Sequence, residues 1–197
     1  FYPNNAEMVI DTSDTSTFSS TGNGTALRNT LAHESGHGLG LQHVKSSSSV
    51  FLMEPYLTTS IDGPQFDDIL GLQRQYGDYY EKSGGNDTSA KATPLGLLGS
   101  GQTLSLGTAA VSTAVAPTVT DFVSIDDESD VDYYSFTTTA AGTVNIQLTP
   151  AGPTYTMGFQ GGSESSFNAS SQSDLTLELI GPNGTTVLST ANTGGLG

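Results

Sequence analysis

The sequence predicts an α+β fold, in which a part built around two helices is followed by an all-β sandwich. Three observations predict it. Apolar residues recur at helical spacing from Thr25 and again from Gln65. The composition shifts at Lys82-Ser-Gly-Gly-Asn-Asp87, which reads as a linker. Beyond it, polar and apolar residues alternate with period two in several short runs. The expected division is a first domain over 1–80, a linker over 81–92 and a β-sandwich over 93–197.

Taken in order, Glu7-Met-Val-Ile10 reads as a short strand after a turn containing Pro3, and residues 11–24 as a Ser/Thr/Gly loop. Thr25 is the candidate N-cap of the first helix. Leu27 and Leu31 lead along it to Glu34-Ser35, and it should stop near Gly38 or Gly40. A serine-rich loop, Val50-Phe-Leu-Met53 and Pro55 follow. Pro64 precedes the second helix, about 65–76, on which Ile69, Leu72, Gln73 and Tyr76 share a face. Asp67 and Asp68 in its first turn suit the helix dipole, and Gly77 suits the C-cap. In the second part, period two appears at 131–137, 143–149 and 175–180. Gly181-Pro-Asn-Gly184 is a turn between the last of these and 186–188. Residues 155–173 read as a Gly/Ser-rich insertion without a period.

Composition narrows the function. A formal net charge of −15 with only five Lys+Arg argues against nucleic acid or an anionic membrane as partner. The surplus carboxylates could bind Ca²⁺ or could keep the chain soluble in a salty medium. The absence of cysteine excludes disulfides, thiol catalysis and Cys-ligated zinc. No apolar run is long enough to span a bilayer as a helix. Phe1-Tyr2-Pro3-Asn4 is neither an initiator Met nor a signal peptide, and Thr193-Gly-Gly-Leu-Gly197 resembles a loop in mid-course. The expectation is a fragment, with any export signal upstream.

The chemistry is concentrated in His33-Glu-Ser-Gly-His-Gly-Leu-Gly-Leu-Gln-His43, which fits H-E-x-x-H-x-x-G-x-x-H in full. His33 and His37 stand at i, i+4, so one helix presents both imidazoles to one ion. Gly40 can adopt positive φ and turn the chain so that His43 returns as third ligand. Three neutral imidazoles leave Zn²⁺ one open position for water and substrate. Glu34 sits beside them as general base. All three histidines of the chain fall inside the motif.

This motif, with Leu52-Met53-Glu54-Pro55, Asp67-Asp68-Ile69, Gln73 and Tyr76-Gly77, resembles the matrixin branch of the metzincin zinc peptidases over about residues 1–80. The resemblance implies the C-terminal part of a zincin catalytic domain: active-site helix, Met-turn and C-terminal helix. It implies that Met53 lies in the Met-turn beneath the metal without ligating it. Pro55 and Tyr56 would wall the pocket for the side chain after the scissile bond. Asp67 and Asp68 would brace the second helix against the Met-turn, or simply face solvent. The chain departs from the pattern in three places: Val44 follows the third His where matrixins place Ser or Thr, Pro55 stands where other branches carry a Tyr ligand, and no histidine remains for a second, structural zinc. The strands that precede the active-site helix in the family, including the edge that pairs with substrate, are expected to be missing or incomplete.

Asn86-Asp87-Thr88, Ser129-Asp-Val-Asp-Tyr-Tyr-Ser-Phe136, Ala141-Gly-Thr-Val144 and Gly181-Pro-Asn-Gly184 resemble the bacterial pre-peptidase C-terminal domain, a β-sandwich of secreted peptidases, here expected to lack its closing strands. Some relatives bind Ca²⁺ there. Asp126, Asp127, Asp130 and Asp132, with Glu128, could supply oxygen ligands or could form a solvated acidic loop. The resulting expectation is a secreted, extracellular bacterial zinc endopeptidase, a monomer acting on protein or peptide with one catalytic Zn²⁺, hydrolysing through Zn-bound water with Glu34 as base. Kept beside it are a catalytically inert fragment, whose sandwich binds substrate or cell surface, and a metal-dependent hydrolase of non-peptide amides.

Overall fold

A computed structural model describes residues 8–9, 11, 13, 16, 18, 23–81 and 85–192. The strand expected at 7–10 falls on Glu7 and Ile10, outside the described residues. So do linker residues 82–84 and the closing residues 193–197. Two units divide the chain. The first gathers the described residues up to Leu72 with Ser112–Thr120 and Pro153–Phe167. The second gathers Gln73–Val111, Asp121–Gly152 and the described residues from Asn168 onward.

In the first unit, helix α1 spans Thr25–Gly38. Its N-cap is Gly24 rather than Thr25, which is already the first helical residue and whose hydroxyl accepts a hydrogen bond from Arg28. Asn29 lies buried on its inner face. The Asn29 amide donates to Thr58 O and Ile61 O, both at 2.9 Å, and accepts from Gly63 N at 2.8 Å. Pairing both N–H groups and the oxygen of a buried amide in this way ties the 58–63 loop to the helix. The helix stops with Leu41 N donating to Gly36 O (2.9 Å) and Gly40 N to His37 O (3.0 Å). That pair is a Schellman cap, and Gly40 takes the left-handed position it needs at φ 98°.

The chain then enters β1, Val44–Lys45, which pairs antiparallel with β4, Thr154–Phe159. With β5, Ser165–Asn168, they form a three-stranded sheet in the order β1-β4-β5. All of β5 and all but the first residue of β4 fall within 155–173, expected to be irregular. Thr154-Tyr-Thr-Met-Gly-Phe159 alternates polar and apolar residues as a half-buried strand does, and its Gly/Ser-rich flanks hide the pattern. The core here is aromatic. Tyr155 is buried with its ring 5.1 Å from Phe51, 6.2 Å from Phe66 and 5.3 Å from Phe167. Helix α2, Phe66–Tyr76, begins beside this cluster.

In the second unit, β2 (Thr93–Leu98) runs parallel to β3 (Tyr134–Thr138), with a register shift between Pro94 and Gly96. β6 (Leu177–Ile180) and β7 (Val187–Ala191) form an antiparallel pair. The Gly181–Gly184 turn closes it through Gly181 N to Thr186 O (2.7 Å), with Asn183 Oδ1 accepting from Thr186 N (3.0 Å). Residues 143–149 form no strand: Val144, Ile146 and Leu148 alternate as expected, yet all three are exposed. Alternation supplies a face but not a neighbour to bury it. Helices and small sheets together are compatible with the α+β class.

Candidate metal centre

Three elements of the first unit bring the histidines together. His33 and His37 project from α1, and the Gly40 turn delivers His43 just before β1. The Nε2 atoms of His33 and His37 each lie 3.1 Å from Nε2 of His43. Each opposite ring nitrogen has an oxygen partner. Nδ1 of His33 meets Leu52 O at 2.7 Å, Nδ1 of His37 meets Leu41 O at 2.9 Å, and Nδ1 of His43 meets Gln160 Oε1 at 2.7 Å.

These partners decide the tautomers. A carbonyl oxygen only accepts, so each imidazole carries its proton on Nδ1 and turns a lone pair on Nε2 toward the other two. Three converging lone pairs repel unless a cation sits among them. Tetrahedral zinc holds nitrogen ligands at about 2.0–2.1 Å, which sets neighbouring ligand atoms about 3.3 Å apart. The observed spacing, the neutral donor set and the outward-facing N–H groups all fit such an ion. Glu34 follows His33 on α1 and is partly exposed.

Met53 is buried against α1, where a Cβ on Gly36 would come within 2.5 Å of Met53 Sδ. The turn carrying Met53 is held from α2. Both oxygens of Asp68 accept from it, Leu52 N at 2.8 Å and Met53 N at 3.0 Å, and Gln65 N donates to Asp68 at 2.7 Å. Burial pushes the Asp68 carboxyl up to about 6, against the opposing pull of these N–H groups. Asp67 serves differently, accepting the Tyr155 hydroxyl at 2.5 Å. An open cleft beside the site is lined by His37, Leu41, Gln42, His43, Phe159 and Gln160. Pro55 and Tyr56 are not among its lining residues, and Tyr56 is 81% exposed.

A second group lies in the second unit. Glu81, Asp126 and Asp130 bring carboxylate oxygens within 4.8 Å of one another. Of the four aspartates singled out in the sequence, Asp126 and Asp130 join this group. Asp127 turns its carboxylate to Ser129 and to the N–H of Asp130. Asp132 accepts the Tyr134 hydroxyl at 3.2 Å. Sequence reading missed Gln160, Gly36 and Glu81. Gln160 stands 117 residues from the histidine it contacts, beyond the reach of any local pattern.

Comparison with known families places residues 1–77 in a match to the model of the family described as Matrixin. This supports a matrixin-like metallopeptidase region in that part of the chain. No curated protein and no solved structure matches the chain.

Proposed function

We propose that the chain is part of a secreted bacterial zinc endopeptidase of the metzincin clan, hydrolysing peptide bonds in proteins or peptides. The observation that carries this reading is the convergence of the His33, His37 and His43 Nε2 atoms, each ring locked from behind, with Glu34 next to His33 in the sequence. The matrixin match over residues 1–77 supports it.

His33, His37 and His43 would hold the ion. Zinc supplies Lewis acidity, which polarises a carbonyl and makes water acidic enough to ionise near neutral pH. The Glu34 carboxylate accepts the proton of the attacking water and delivers it to the departing amine nitrogen, so that one C–O bond replaces one C–N bond. Leu52 O and Leu41 O keep the proton of each helix histidine on Nδ1. Asp68 fixes the turn that carries the first of these carbonyls.

Residues 93–197 are read as an accessory β-domain like that of other exported peptidases. Support comes from Asp130-Val-Asp-Tyr-Tyr-Ser-Phe136, whose latter part opens β3. Calcium at Glu81, Asp126 and Asp130 belongs to the same reading, supported by the close approach of their carboxylates.

The test is zinc content together with cleavage of an unstructured polypeptide, compared between the parent and Glu34→Ala. The variant should retain one zinc per chain and lose about 100-fold or more in hydrolysis. If it cleaves like the parent, the mechanism is wrong. Zinc bound by the parent without any cleavage favours the inert binding module instead.

A further inference from the structure

The three ligands are not supported alike. His37 leans on Leu41 O within the motif and His33 on Leu52 O in the Met53 turn, both inside the matrixin-like region. His43 leans on Gln160, which follows strand β4. The strand beginning one residue after His43 is itself held by the β4–β5 hairpin. Val44 pairs with Phe159 and Lys45 with Gly158. Lys45 Nζ lies 3.2 Å from Glu164, and Ser47 N donates to Glu164 at 2.7 Å. Thr156 N donates to Ser48 at 2.8 Å. The Ser47 hydroxyl and N–H hold the Glu164 carboxylate well below its ordinary range, at about 2. It therefore stays charged toward Lys45 through the physiological range.

We propose that Gln160 is the positioning residue of the third zinc ligand, so that the β4–β5 hairpin, lying outside the matrixin-like region, completes the metal site. The inference rests on the metallopeptidase reading above. A neutral imidazole carries one N–H, and the acceptor behind it decides which nitrogen keeps the proton. Gln160 Oε1 draws that proton to Nδ1 and leaves Nε2 free to coordinate. Without the acceptor, His43 can rotate and can place its proton on Nε2, which blocks coordination. Outer partners of this kind typically set metal affinity by about 10–100-fold. His43 is the ligand most exposed to the loss, since it stands past the helix end, where no helical backbone fixes its direction.

The experiment uses the full chain. Metal is stripped and zinc affinity is measured by competition with a chromophoric chelator for the parent, Gln160→Ala and Gln160→Glu. The cobalt(II) absorption spectrum reports ligand geometry in each. Gln160→Ala should bind zinc about 10–100-fold more weakly and shift the cobalt bands. The circular dichroism and Tm of its metal-free form should match the parent. Gln160→Glu should restore affinity to the parental level or above, because a carboxylate is the stronger acceptor. Unchanged affinity in Gln160→Ala overturns the inference, as does a Gln160→Glu variant no better than Gln160→Ala. A parent that binds no zinc, or a His37→Ala variant that binds it as well as the parent, overturns the metallopeptidase reading instead, and this inference with it.

Discussion

Gly36 and Met53 are in such close contact that a single methyl group would not fit between them. A Cβ at residue 36 would stand 2.5 Å from Met53 Sδ and 3.2 Å from Cε. Gly36 lies within the zinc motif, on the face of α1 turned to the core, and Met53 fills the space it leaves. Gly36→Ala should therefore displace a buried side chain. Overpacking costs about 1–3 kcal/mol, and Ala returns about 1 kcal/mol of helix propensity. The net effect expected in urea denaturation is a loss of about 1 kcal/mol. In a Met53→Ala background the sign should reverse, because the clash is gone and the helix gain remains. The same loss in both backgrounds would show that the contact is not what constrains residue 36.

Asp68 should couple stability to metal binding. It accepts three buried N–H groups, from Gln65, Leu52 and Met53, and the carbonyl of Leu52 in turn accepts from His33. Asp68→Ala strands those donors at a cost of roughly 3 kcal/mol or more. Asp68→Asn keeps one acceptor oxygen and should recover part of the loss. Both variants should bind zinc more weakly than the parent, in the same order, since the turn that aims His33 is loosened. An Asp68→Ala variant of parental zinc affinity would mean the Leu52 turn holds its shape unaided.

What could be read in advance was what is local. His33, His37 and His43 lie within eleven residues, and the helix period and one glycine suffice to bring them together. Asp68 was visible as a first-turn acid, but its targets lie 15 and 16 residues back, and only the packed helix reveals them. Gln160 carried no signal at all, because its partner is set by the pairing of β1 with β4. The errors run both ways. Strand β4 was overlooked within a Gly/Ser-rich stretch, while Val144, Ile146 and Leu148 alternate without a strand forming. Period two reports what a strand would look like, and burial against a neighbour decides whether one exists.

The acidic group of the second unit predicts a pH dependence and a way to abolish it. Burial, reinforced by Asp130, Asp126 and Asp78, pushes the Glu81 carboxyl up to about 7. Burial, reinforced by Asp78 and Asp130, pushes Asp132 up to about 6. Unfolded, these groups return to the ordinary carboxylate values of 4.5 and 3.8. Between those values and the raised ones, the folded chain keeps protons that the unfolded chain has released, so its stability falls as pH rises. The protonated group's advantage is complete below the unfolded values and gone above about pH 7. In calcium-free buffer, Tm should therefore decline from about pH 4.5 to about pH 7.5, and Glu81→Gln should flatten the upper part of that decline. A cation bound by the ionised carboxylates stabilises only the folded form. Added calcium should thus raise Tm at about pH 7.5 and have a much smaller effect at about pH 4.5, where Glu81 keeps its proton. A Tm that rises with pH across this window would sink the linkage, and calcium without effect at the higher pH would sink the site.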